Sequence, residues 1–173
     1  MHARQNMRGR VREVERKMRF VFAGREDTGE ILEFIRGLAE YEHMSDDVVA
    51  DAESLAYWLF DQKKAEVLFA EEDGIKVGFA LFFHNFSTFL GRAGIYLEDL
   101  FVKPEFRGKG YGKALLTELA RITVERGCGR LEWSCLDWNQ SSIDFYRSMG
   151  AVSMDDWTTY RITGERLISL GTR

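Results

Sequence analysis

The stretch Leu100-Phe101-Val102-Lys103-Pro104-Glu105-Phe106-Arg107-Gly108-Lys109-Gly110-Tyr111-Gly112-Lys113 constrains the fold more than any other part of this sequence. An apolar run that reads as a strand enters a glycine-rich turn. The turn opens straight into a helical pattern over Lys109 to Arg126, with Leu115, Leu119 and Ile122 on one side. Glycines at 108, 110 and 112 let successive backbone N–H groups converge without side chains between them. Such a nest at the positive end of a helix suits phosphate oxygens, and Arg107, Lys109 and Lys113 add full positive charge around it. Two common phosphate-binding designs fail on spacing. A P-loop follows its lysine with Ser or Thr to hold magnesium, whereas Ala114 follows Lys113 here. A dinucleotide fold needs its third glycine one position later, where Lys113 stands. The plain alternative is a ligand-free tight turn, and three glycines interleaved with three cations weigh against it.

The rest of the chain supplies a sheet for this turn to extend. Arg19 to Ala23 reads as a first strand. Asp27 or Thr28 can cap a helix with Ile31, Phe34, Ile35 and Leu38 on one face, and Asp51 a second with Leu55, Trp58 and Leu59 as its buried stripe. Glu66 to Ala70 and Val77 to Phe83 flank the hairpin signal Asp73-Gly74, and Gly94 to Val102 is a further strand. Arg130 to Leu136 reads as a strand, Asn139 caps a helix through Met149, and Trp157 to Ile162 suggests a last strand. The order β-α-α-β-β-β-α-β-α-β predicts an α/β protein with a mixed sheet, in one domain over residues 19–173. Residues 1–18 hold six basic side chains against Glu13 and Glu15, without an apolar stretch long enough for a secretory signal. They are expected to be a disordered basic tail.

Composition narrows the function. A net charge of −4 argues against general nucleic-acid binding. No apolar run reaches the roughly 18 residues a membrane span needs. Cys128 and Cys135 fit no zinc or redox spacing, and His2, His43 and His84 are scattered, so no metal is expected. Both thiols are expected to be reduced in a cytoplasmic protein.

Arg107-Gly108-Lys109-Gly110-Tyr111-Gly112 resembles the Arg/Gln-x-x-Gly-x-Gly/Ala signature of the GNAT acetyltransferase superfamily. The resemblance extends to its diamine and thialysine N-acetyltransferase branch through three further segments. These are Leu38-Ala39-Glu40-Tyr41-Glu42, Ile95-Tyr96-Leu97-Glu98-Asp99, and Leu136-Asp137-Trp138-Asn139-Gln140 with Asp144-Phe145-Tyr146. It implies a GNAT-like fold: a central, mostly antiparallel sheet with one splayed parallel pair and flanking helices. It also implies acetyl-CoA as cosubstrate, held by the loop from Arg107 to Lys113. The backbone of Leu100, Phe101 and Val102 would pair with the pantetheine arm, with Asn139 and Ser142 also near the cofactor.

Two carboxylates and a tyrosine then stand where chemistry would need them. Glu98 and Asp99 lie inside an apolar strand, so at least one should face packed protein. An ion pair or a β-bulge would explain them structurally. A carboxylate beside the acetyl group would instead accept a proton from an ammonium, which must become a neutral amine to attack. The resemblance implies Glu98 as that base, with Asp99 arranging the site. Tyr146 has helical spacing with Ile143 and Met149, which suits a core aromatic. The resemblance implies that it protonates the departing thiolate. Tyr41 and Glu42 resemble a substrate-contacting pair.

Residues Phe86 to Arg92 lack the aspartate of the polyamine enzymes, and Ala151 to Trp157 look shorter than their matching loop. The expected reaction is direct acetyl transfer to a small cationic amine, either thialysine-like, lysine-like or a diamine or polyamine, in a homodimer. Acetylation of a protein or peptide, or a non-catalytic acetyl-CoA sensor, are the alternatives.

Overall fold

A computed structural model describes residues 18–172. The tail expected over residues 1–18 lies outside them except for Met18, which is the first residue of a strand. One compact unit ends at Ser134 and a second begins at Cys135.

In the first unit, five strands run in the order β1-β2-β3-β4-β5: Met18–Phe22, Glu66–Glu72, Ile75–Ser87, Arg92–Val102 and Leu131–Trp133. The first four pair antiparallel, and β5 pairs parallel with β4. Asp73 and Gly74 both adopt positive φ in the β2–β3 turn, the backbone that a two-residue hairpin requires. Helix α1 (Thr28–Tyr41) covers one face of the sheet. Its Ile31 and Phe34 pack with Phe69, Phe79 and Phe101, and Phe34 stacks on Phe79 at 5.1 Å between ring centres. Helix α3 (Tyr111–Glu125) covers the other face, bringing Leu115 against the strand pair Gly78–Val102. A Cβ on Gly78 would lie 3.1 Å from the Phe101 carbonyl oxygen and 3.2 Å from Leu115 and Val102 side-chain carbons. That position therefore needs glycine for close sheet–helix packing.

Helix α2 (Ala52–Ala56) is capped as the sequence predicts, with Asp51 accepting from the Ser54 N–H at 2.8 Å, and continues as a π-helical turn over Tyr57–Asp61. The wider turn disturbs the expected buried stripe: Leu59 is buried, but Trp58 is 52% exposed. At α1, Asp27 occupies the cap position without a side-chain capping bond. Its carboxylate instead accepts from the Gly24 N–H and from Lys76.

The second unit contains α4 (Gln140–Ser148) and α5 (Gly164–Gly171). The strand expected over Trp157 to Ile162 is not formed: the segment is exposed and pairs with no strand among the described residues. Its aromatic and β-branched composition tolerates an extended chain, but a strand also needs a neighbour for its backbone groups. Helix α5 was not legible in the sequence. No helix among the described residues is long and apolar enough to cross a membrane.

Candidate active site

Strand β4 changes register in its middle. Leu97 stands opposite Phe82 and Asp99 opposite Leu81, so Glu98 is an extra residue without a partner on β3. This is a β-bulge, one of the two structural readings left open for the acid pair. Glu98 is exposed, whereas Asp99 is half-buried. Burial, then the neighbouring charge of Glu98 and that of Glu42, push the Asp99 carboxyl up to about 6. Burial also raises the Glu42 carboxyl. The C-terminal end of α1 thus brings Glu42 to the β4 acids, a convergence of three carboxyl groups from two distant segments. Among the described residues, no three His, Cys, Asp or Glu side chains converge as a metal site would require.

Beyond Leu97, β4 loses its second neighbour, because β5 pairs only with Ile95, Tyr96 and Leu97. The Lys103 N–H donates to the Val77 carbonyl at 2.9 Å, which makes Val77 and Lys103 a bonded pair. Bonded and non-bonded pairs alternate in an antiparallel ladder, so the backbone groups of Leu100 and Val102 turn away from β3. They face the edge that β5 leaves open. An extended amide-bearing chain could add there as a strand would.

The chain passes from β4 through one 3-10 turn, Pro104–Phe106, to the glycine loop. Gly108 and Gly110 hold φ of 74° and 88°, and nothing lies within 4 Å of where a Cβ on either would sit. A concave loop with two left-handed positions and open space in front fits a diphosphate. Tyr111 is buried and begins α3, Gly112 follows it, and Lys113 lies in the first turn. Lys109 lies over the Phe106 ring at 4.8 Å. The Arg107 side chain turns back toward β4: its Nε donates to the Val102 carbonyl at 3.0 Å, and its guanidinium lies 4.7 Å from the Tyr41 ring centre and 5.1 Å from that of Phe101. Tyr41, Glu42, Glu98, Asp99, Leu100, Phe101, Val102 and Arg107 therefore gather around the end of β4.

Sequence reasoning missed Gly37, on which this convergence depends. A Cβ there would lie 3.0 Å from the Phe101 ring, so its absence lets α1 sit close to β4. A glycine inside a helical pattern is the signal that could have found it.

In the second unit, Asn139 caps α4 by accepting from the Ser142 N–H at 3.2 Å. Tyr146 lies two turns along that helix with its ring 5.2 Å from that of Phe145. Cys135 directs its thiol to the Leu136 carbonyl at 3.7 Å.

Residues 30–151 match the Acetyltransferase (GNAT) family. The chain is 38% identical over 156 residues to a thialysine N-epsilon-acetyltransferase of Bos taurus, covering 83% of this chain and 91% of that protein. It is 45% identical over 95 residues to the L-ornithine N5-acetyltransferase NATA1 of Arabidopsis thaliana, covering 55% of this chain and 42% of that one. Among solved structures, an integron cassette protein from V. cholerae superimposes with a TM-score of 0.75 at 27% identity, over 90% of this chain and 98% of the other.

Proposed function

We propose that this chain, which belongs to the GNAT family of acetyl-CoA-dependent N-acetyltransferases, acetylates the side-chain amine of a lysine-like or thialysine-like amino acid, with diamines and polyamines as the next class. The observation that carries this reading is the bulged acid pair at the end of β4. It sets Glu98 in solvent and Asp99 in partial burial, next to Glu42 and directly before the glycine loop. Three carboxyl groups gathered at one place favour a cation. The relatives named above act, by their names, on amines of cationic amino acids.

Acetyl-CoA, when bound, supplies an acetyl group activated as a thioester. The chain's own residues do the rest. Backbone groups of Leu100 and Val102 align the pantetheine arm along the open edge, while those of Phe101, expected to share that task, are turned to β3, and Asn139 and Ser142 contact the cofactor from α4. The loop Arg107, Gly108, Lys109, Gly110, Tyr111, Gly112 and Lys113 holds the diphosphate. Tyr41, Glu42 and Asp99 orient the cationic substrate. Glu98 takes the proton that the ammonium must lose before its nitrogen attacks, and the Tyr146 hydroxyl returns a proton to the departing sulfur. Transfer is direct, without an acetyl-enzyme. We extend the reading to a homodimer, which light scattering on the purified chain tests, and to a cytoplasmic location, which fractionation of cells that carry the protein tests.

The experiment is acetyl-CoA-dependent thiol release with thialysine, L-lysine, L-ornithine, putrescine, spermidine and a short peptide. Turnover on one of the amino acids supports the assignment. Turnover on the peptide alone would move the chain to a protein acetyltransferase, and none at all, with acetyl-CoA bound, to a sensor.

A further inference from the structure

Resting on the acetyltransferase reading above, we propose that Arg107 is a two-position residue that occupies the cation-binding face of Tyr41 and is drawn off it when acetyl-CoA binds. Cofactor and cationic amine then bind cooperatively.

Three observations meet at this side chain. Its guanidinium lies over the Tyr41 ring at 4.7 Å, as a substrate cation would on the same aromatic face. The ring carries one cation on that face at a time, so Arg107 and an ammonium compete for it. Its Nε donates to the Val102 carbonyl, and that carbonyl belongs to the open edge along which an added chain must lie. A side chain seated there stands in the way of such a chain. Its backbone immediately precedes Gly108, the first left-handed position of the loop that fits a diphosphate.

Arg107 is exposed, so a change of rotamer exchanges these contacts without disturbing the core. What it leaves is a hydrogen bond to a neutral carbonyl and two ring faces. What it gains is a charge-assisted, bidentate pairing with phosphate, the stronger type of bond. Both ligands favour the arrangement with Arg107 turned away from Tyr41, so each strengthens the other by the same factor. If the seated position predominates about ten to one, that factor is about tenfold. The competing possibility is a permanent bracket that ties the loop to α1 whatever is bound.

Nuclear magnetic resonance of the full chain, labelled with 15N-arginine, separates the two. The Arg107 Nε–Hε resonance is assigned from its loss in Arg107→Lys. Its ring-current contribution is read from the change in Tyr41→Leu. Coenzyme A is then titrated, with calorimetry recording binding on the same samples. The expected result is that the resonance moves toward its Tyr41→Leu position as the ring-current contribution is lost. In parallel, L-lysine binds about tenfold more tightly at saturating coenzyme A, and in Arg107→Gln that gain falls below about twofold. A resonance that stays in place while calorimetry shows saturation overturns the two-position assignment and leaves the acetyltransferase reading intact. No coenzyme A binding by calorimetry would instead remove the reading on which the inference rests.

Discussion

Glu98 and Asp99 are covalent neighbours on β4, yet Asp99 faces Leu81 across the ladder while Glu98 faces no residue of β3. One inserted residue therefore separates an exposed acid from a half-buried one without separating their charges. Deleting Glu98 would join the Leu97–Phe82 and Asp99–Leu81 pairs into a regular ladder. The expected outcome is a folded protein, destabilised by no more than about 1 kcal/mol, whose turnover falls by about 100-fold. Circular dichroism melts and thiol release on one sample measure both. The milder change Glu98→Gln should slow the reaction most at low pH, where the amine has a proton to lose; equal slowing at every pH would take Glu98 out of proton transfer.

Asp99 links the site to stability through pH. Its carboxyl titrates at about 6 in the fold, against an ordinary value of 3.8. The folded protein thus holds this proton more tightly than the unfolded chain does, and ionisation costs stability. That cost is absent below about pH 4, grows as pH rises, and is complete above about pH 6. Asp99→Asn should be nearly neutral at pH 4 and stabilising by about 1–2 kcal/mol at pH 7.5, measured by urea unfolding. In the same variant, the acid limb of kcat/KM expected near pH 6 should move or vanish.

Tyr146→Phe removes one oxygen and keeps the ring beside Phe145. Acetyl-CoA affinity should stay within about twofold while turnover drops about 100-fold, the usual range for losing a general acid. An unchanged kcat would return Tyr146 to a packing role.

Gly110 holds φ of 88° with open space around its missing side chain. Gly110→Ala therefore meets no clash but imposes a left-handed backbone on alanine, costing about 1–2 kcal/mol. Acetyl-CoA binding by calorimetry should weaken by tenfold or more, roughly the effect of a misaligned loop. Affinity equal to the parent would mean the loop does not hold the diphosphate.

What the sequence made legible follows from how local each signal is. Helices α3 and α4 announce themselves by their spacing, and the caps at Asp51 and Asn139 form as their residue types dictate. The glycine loop and the acid pair are contiguous, so they were found together. Glu42 meets Asp99 across a long span of chain, and Arg107 meets Tyr41 in the same way; only the close seating of α1 at Gly37 creates those neighbours. Local pattern misled at Trp58, where a π-helical turn altered the buried face. It also misled at Trp157 to Ile162, whose composition says nothing about whether a partner strand exists.

The short reach of β5 has a consequence for handling as well as for the cofactor binding proposed above. The N–H and C=O groups of Leu100 and Val102, which turn away from β3, are a template for any extended chain, including one from another copy of this protein. The bulge at Glu98 twists that border, and Arg107 sits on one of its carbonyls. The stretch without a second strand neighbour is therefore brief. Concentrated protein without cofactor should still clump first through this border, and saturating coenzyme A should delay the onset of turbidity on warming.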